Sequence, residues 1–324
     1  MGNTKAAPGR RTGLFAVLAA RVMNLLDAQP CDSRLSIFHH ATLFLEQPMI
    51  LVTAATAPVG RSIVERLVLI GVPVRALTRH PQQVDLPAGA EVVAGDMNDP
   101  ASLAVAVKDV DGVFVLAMGP GVPELIEAAK NAGVKRVVFQ STAEIDDNAE
   151  QQPNDIAVLH HGIEQAIIDS GMQWTFLRLD LNSADALHWA FDVPGQLAGG
   201  DVVRGPFADA AGSPIHPADL AAIAVVALTQ DGHSGQRYHV TGPQSLTHRE
   251  QIELIGKTHG RELRYKEIDP AAARAEIAPH APADLLFATW EAHVNKEAPV
   301  TDAIERITGR APRSMREWAE AHPA

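Results

Sequence analysis

Met49-Ile50-Leu51-Val52-Thr53-Ala54-Ala55-Thr56-Ala57-Pro58-Val59-Gly60-Arg61 is the stretch on which the reading of this chain turns. Its first residues form a short run without a charge, as expected of a parallel strand buried on both faces. Small residues turn the chain from Ala54 to Gly60, and a helical pattern follows through Ile63, Leu67 and Ile70, closed by Gly71. The rhythm repeats downstream, with strands expected at Pro73–Leu77, Ala90–Ala94, Val113–Leu116 and Val134–Phe139. Asp99 reads as an N-cap with Pro100 at the first helical position, opening a helix over Ala101–Val107. Pro123–Asn131 is a further helix, stopped by Gly133. Such strand-helix alternation implies an α/β fold, a doubly wound parallel sheet with right-handed crossovers, binding its ligand at the carboxyl ends of the strands.

Beyond Ser141 the pattern loosens. Helices are expected at Ile156–Ser170, Pro217–Thr229 (capped by Asp219 or a neighbour) and Leu246–His259, strands at Trp174–Arg178 and Arg237–Thr241, and a helix pair over Val300–Glu320 around Gly309 and Pro312. Residues 49–180 read as a nucleotide-binding core, and residues 181–324 as the completion of the sheet with a small C-terminal lobe covering the site.

Residues 1–48 stand apart. They carry a net charge of +2, against −14 for the remainder, and show no strand-turn-helix rhythm. The apolar core from Leu14 to Ala20 is too short for an export signal and is cut by Arg21, so the segment reads as an extension outside the fold, with Met49 as the natural start. Over all 324 residues, 27 basic and 39 acidic side chains give −12, which argues against nucleic acid as the partner. The single cysteine, Cys31, excludes an internal disulfide or a multi-cysteine zinc site. No apolar run reaches the ~18 residues that span a bilayer. The expectation is a cytoplasmic protein acting on a small molecule, with no membrane partner; the composition is silent on oligomeric state.

A dinucleotide turn needs a sharp bend, a close backbone approach to the pyrophosphate and close helix-strand packing, each usually met by glycine. Here the G-x-x-G-x-x-G spacing has Ala54 and Ala57 at its first two positions and keeps only Gly60. Ala54 fits if its φ is negative; the methyl of Ala57 points where the pyrophosphate would lie, and Pro58 removes one N–H from the helix terminus. Roughly 20 residues after such a turn, a carboxylate would hold the ribose of NAD and an arginine the extra phosphate of NADP. This strand ends Leu77-Thr78-Arg79-His80, with Arg61 on the following helix directed to the same phosphate. NADP is favoured, with NAD the other option.

Several segments together resemble the NmrA-like group of atypical short-chain dehydrogenases/reductases, NAD(P)-binding Rossmann proteins whose turn reads V-T-G-A-T-G-x-x-G-R. They are that turn, R-A-L-T-R at 75–79, G-D-M-N-D at 95–99, V-K-R-V-V-F-Q-S-T at 134–142, S-G-M-Q-W-T-F-L-R at 170–178, H-P-A-D-L-A at 216–221 and I-T-G-R-A-P-R-S-M-R-E-W at 307–318. The resemblance covers residues 49–324. It implies that Thr53, Ala54, Thr56, Ala57, Pro58, Val59, Gly60 and Arg61 cradle the pyrophosphate and that Arg79 holds the 2′-phosphate. It further implies that Asp96 and Met97 flank the adenine and that Ala117, Met118 and Gly119 lie beside the nicotinamide ribose.

Reduction of a carbonyl or quinone needs a proton donor. The chain has two tyrosines, Tyr238 and Tyr265, neither followed by lysine four residues on, which excludes the usual Tyr-Lys pair. On the helix where that pair would sit, His161 and Glu164 are three apart and share a face, so the carboxylate is expected to orient the imidazole; Ser141 and Thr142 add hydroxyls. The histidines show no zinc spacing, and no metal is expected. His188, Trp189 and Phe191 are candidates for an apolar pocket, and Asp180, Asn182 and Asp185 make its entrance acidic. These features point to an NADPH-dependent reductase of a small apolar carbonyl or quinone-type compound. A non-catalytic nucleotide sensor or interaction protein of the same fold is the alternative, and an isomerase or epimerase with retained cofactor a third reading.

Overall fold

In the computed structural model, residues 47–116, 121–180, 191–277 and 283–322 are described. The chain divides between Gln47 and Pro48, and the second unit carries the fold. From its start run β1 (Ile50–Val52), α1 (Pro58–Leu69), β2 (Val74–Thr78), β3 (Glu91–Ala94), α2 (Pro100–Ala106), β4 (Gly112–Val115), α3 (Gly121–Asn131), β5 (Arg136–Thr142), α4 (Asp155–Asp169) and β6 (Gln173–Leu179). Then come α5 (Val193–Leu197), β7 (Val202–Gly205), β8 (Ala211–Gly212), α6 (Pro217–Thr229), β9 (Gln236–Val240), β10 (Leu246–Thr247), α7 (His248–Thr258) and β11 (Arg264–Glu267). The chain closes with α8 (Pro270–Ile277), α9 (Ala283–Ala292), α10 (Ala303–Thr308) and α11 (Met315–Ala321).

Seven strands form one parallel sheet in the order β3-β2-β1-β4-β5-β6-β9, a Rossmann-like α/β fold. The order reverses between β1 and β4, which places the ligand crevice outside the carboxyl ends of those two strands. All three side chains of β1 are buried, because helices cover both faces of the sheet. On one face Ile50, Val52, Phe114, Val138 and Leu177 pack with α1 and α6; on the other Leu51, Val113, Val115, Phe139 and Phe176 pack with α2, α3 and α4. The expected caps form: Asp99 accepts from the N–H of Ala101, and Gly71 and Gly133 stand at φ +74° and +80°. The cap of α6 is His216, whose Nδ1 accepts from Ala218; Asp219 instead accepts from the backbone N–H and guanidinium of Arg313, joining two of the segments that carry the family resemblance.

The remaining elements build a lobe with its own core, centred on Phe191, Tyr265, Phe287, Trp290 and Trp318. Two small sheets, β8-β10 and β7-β11, frame it. Phe191 is an interior residue here, 5.2 Å from Trp290 between ring centroids, so it packs the lobe rather than lining an open pocket. His248 sits among these rings, and burial pushes its pKa down to about 4. No helix among the described residues is long and apolar enough to cross a membrane.

Candidate cofactor-binding and active site

The turn after β1 is shaped by two features. Ala54 adopts φ +47°, the left-handed region, so the condition under which alanine fits this turn without strain is not met. The sharp exit from β1 demands that conformation whatever the residue, and a Cβ there costs about 1–2 kcal/mol. Gly60 is required for a different reason: a Cβ at this position would lie 2.2 Å from the Ala54 carbonyl oxygen and 3.0 Å from the Cα of Ala55. The missing side chain lets α1 rest directly on the turn. Ala57 is the N-cap at φ −72° and ψ 154°, unstrained for any residue, and its N–H donates to Ala54 O at 2.9 Å.

No side chain caps α1, and Pro58 has no N–H. The amides of Val59 and Gly60 therefore have no acceptor within the helix, and the terminus faces the crevice as a set of donors for an anion. Thr56 is exposed in the same turn. The Thr53 hydroxyl is engaged within the sheet: it donates to Phe114 O at 3.1 Å and accepts from the Leu116 N–H at 2.9 Å, stitching β1 to the end of β4.

At the end of β2, Arg79 is exposed and makes no ion pair with another described residue. Arg61, expected to share its phosphate, is committed elsewhere, donating to Asp85 O and pairing with Glu65 and Asp85 at 3.8 and 3.9 Å. Beyond β3, Asp96 is a turn former, accepting at Oδ1 from the Asn98 backbone at 2.9 Å, and Met97 packs against the α2–α3 face of the core. Met97 also abuts Gly121, at which a Cβ would overlap the Met97 carbonyl. Ala117, Met118 and Gly119 lie outside the described residues, as do His188, Trp189, Asn182 and Asp185.

The end of β5 corrects the expected pairing of His161 with Glu164. Glu164 is buried and takes the Ser141 hydroxyl proton at 2.6 Å on Oε1. Arg178 grips the same carboxylate through Nε at 3.0 Å and Nη2 at 2.7 Å. Ser141 and Arg178 are register partners across β5 and β6, so their side chains emerge on the same face, opposite α4. Arg178 also holds Asp147 with two bonds of 2.8 Å, tying down the loop between β5 and α4. Arg237 adds a second guanidinium, 3.5 Å from Glu164 and stacked over Trp174. Two carboxylates and two guanidiniums thus form a closed, neutral network. Burial opposes the charge of Arg178, but its bonds to Glu164 and Asp147 win and hold its pKa above the ordinary value; the same bonds hold Asp147 below its own.

The other groups divide between core and crevice. His160 stacks on Phe139 and binds Ile156 O through Nδ1, and burial depresses its pKa. His161 is half-buried, close enough to Asp147 to stabilise its negative charge. The Thr142 hydroxyl accepts from the Glu144 N–H at 3.2 Å. Glu144 itself, two residues past β5, receives Asn154 Nδ2 at 3.1 Å and faces His293 Nε2 at 3.8 Å. Asp180 does not present an open acidic entrance: it is 13% exposed and pairs with His239 at 3.0 Å. Both tyrosines are committed, Tyr238 to His233 and Tyr265 to Pro206 O, and burial raises both pKa values. Arg178, Asp147, Arg237, Glu144 and His293 escaped the sequence reading, because the strand register and the lobe packing that bring them together are not legible in spacing along the chain.

Residues 54–231 match the NAD(P)H-binding family model. The chain is 37% identical over 283 residues to the (4-alkanoyl-5-oxo-2,5-dihydrofuran-3-yl)methyl phosphate reductase of Streptomyces griseus, covering 85% of this chain and 98% of that one. It is 33% identical over 290 residues to the NAD(P)H azoreductase of Xenophilus azovorans, with the same coverages of 85% and 98%. Among solved structures, an NADPH-dependent quinone oxidoreductase of Escherichia coli superposes with a TM-score of 0.67 at 25% identity, over 84% of this chain and 99% of that one. The chain belongs to the NAD(P)H-binding family, and within it to the NmrA-like atypical short-chain dehydrogenases/reductases. It is an NAD(P)H-dependent oxidoreductase.

Proposed function

We propose that this protein is an NADPH-dependent reductase of a small, apolar carbonyl or quinone-type compound. The observation that carries the cofactor half of this reading is the uncapped N-terminus of α1 beside the order reversal of the sheet, with the unpaired Arg79 at the end of the neighbouring strand. The donor set fits a dinucleotide: Val59 and Gly60 amides for the pyrophosphate, Arg79 for the 2′-phosphate, and the turn Asp96-Met97 along the adenine. Ala117, Met118 and Gly119, next in the sequence after Leu116, are the residues that the family resemblance assigns to the nicotinamide ribose.

A reduced nicotinamide, when bound, supplies hydride. The residues of this chain orient the acceptor, exclude water and furnish the proton that the reduced oxygen takes up. Ser141 is a poor source, because its hydroxyl already donates to the Glu164 carboxylate and its neighbourhood is buried. Of the sequence's other candidates, the Thr142 hydroxyl accepts from the Glu144 N–H, and the half-buried His161 lies beside an Asp147 already bound by Arg178. The relatives bear on the acceptor: their names describe a dihydrofuranone phosphate, an azo compound and a quinone, which supports an electron-poor π-system as substrate.

The test is consumption of NADPH with a panel of quinones and carbonyl compounds, compared with NADH. Turnover is expected with NADPH. Arg79→Ala is expected to raise KM for NADPH about tenfold or more, the loss of a charge-assisted contact, while leaving KM for NADH within twofold (about the scatter of such measurements). Equal effects on both cofactors would remove the 2′-phosphate from the account.

A further inference from the structure

We propose that His293 Nε2 is the proton donor of this reduction, held over the crevice by Glu144. The inference rests on the reductase reading and adds to it a residue from the lobe. His293 directly follows α9, and its backbone is fixed on the lobe side, where its carbonyl accepts from Ala211 N–H at 3.3 Å beside the bridge between Ala210 and Val294. Its Nδ1 lies 2.8 Å from Thr289 O, a contact that requires the proton on Nδ1 and directs Nε2 outward. Nε2 faces Glu144 Oε1 at 3.8 Å, an ion-pair distance rather than a hydrogen bond.

Glu144 is a carboxylate with a spare oxygen. Asn154 Nδ2 fixes Oε2, and Oε1 is left for the imidazole. Its side chain is 11% exposed and that of His293 26%, so the pair is sheltered and the imidazole keeps an accessible edge. His161 lacks this arrangement, because both oxygens of Asp147 are already taken by Arg178. Placement follows from topology. The pyrophosphate turn follows β1 and the adenine side lies over β2 and β3, so the reacting end falls on the β4-β5-β6 side. Glu144 is two residues past β5, on that side.

In the step itself, the acceptor carbon gains hydride and the C=O π pair moves to oxygen. The Nε2–H bond of the imidazolium breaks, its proton goes to that oxygen, and its electron pair stays on the ring. A proton taken up from the solvent then restores the imidazolium. Among the described residues Glu144 is the ionisable group that His293 faces at ion-pair distance.

Three measurements on the full chain test this. His293→Gln is expected to lower kcat about 100-fold and to remove the fall in turnover with rising pH, while the NADPH dissociation constant stays within about twofold. Glu144→Gln is expected to lower kcat at least about tenfold while the NADPH dissociation constant stays within about twofold, with Glu144→Asp recovering part of the loss. His161→Ala is expected to keep the wild-type pH profile. Unchanged turnover in His293→Gln or in Glu144→Gln, or loss of the pH limb in His161→Ala, would each overturn the assignment while leaving the reductase reading intact. Failure of the wild-type chain to bind NADPH would overturn both.

Discussion

Gly60→Ala is expected to destabilise the chain by ~3 kcal/mol or more and to weaken NAD(P)H binding at least about tenfold. The added methyl would lie 2.2 Å from the Ala54 carbonyl oxygen and 2.9 Å from its carbon, both backbone atoms that cannot rotate away. Relief requires α1 to move outward, which displaces the Val59 and Gly60 amides from the place where a pyrophosphate would meet them. Packing is lost as well, since Ile63, Val64 and Leu67 of α1 are fully buried against the sheet. Gly162 in α4 provides the control. Nothing lies within 4 Å of a Cβ there, so Gly162→Ala is expected to stabilise by about 1 kcal/mol through helix propensity alone. Chemical denaturation of the two variants, followed by titration with NADPH, measures both effects. Equal stability of Gly60→Ala and wild type would show that the turn does not depend on close approach.

Arg178→Met is expected to cost about 3–5 kcal/mol, the range for breaking a buried ion pair by removing one partner. Its side chain is 8% exposed and that of Glu164 only 1%, so the carboxylate would be stranded with Arg237 at 3.5 Å as its remaining cation. Removing the charge on both sides should recover much of the loss, so Arg178→Met with Glu164→Gln is expected to be more stable than Arg178→Met alone. The loop carrying Asp147 would also be released, exposing amides between β5 and α4 to hydrogen exchange. Additive losses in the two-residue cycle would contradict a coupled network.

The parallel core was legible because its strands are continuous apolar runs and its helices are punctuated by residues with one physical purpose. Gly71 and Gly133 at positive φ, and Asp99 with Pro100, mark ends that any observer of the sequence can place. The lobe was less so. Elements α5, β7, β8 and β11 run from two to five residues, too short to display a period. Ala54 is a different case: alanine fits this turn freely only at negative φ, but the path of the chain between β1 and α1 sets the angle and the residue bears the strain. The spacing of His161 and Glu164 was read correctly as one helix face, yet spacing along a helix says nothing of what lies across from it. Arg178 does lie there, brought by strand register, and it claims the carboxylate. Glu144 and His293 are far apart in sequence and meet only because the lobe folds back over β5.

Central to this account is a dinucleotide seated on a turn that has alanine at two of its three glycine positions. Isothermal titration of the full chain with NADPH, and in parallel with NADH, tests it most directly. The account predicts one NADPH per chain with affinity on the order of micromolar and NADH at least about tenfold weaker, a difference matching one charge-assisted phosphate contact. Absence of binding by either nucleotide would mean that the methyls of Ala54 and Ala57 close the site, and the cofactor reading would fall.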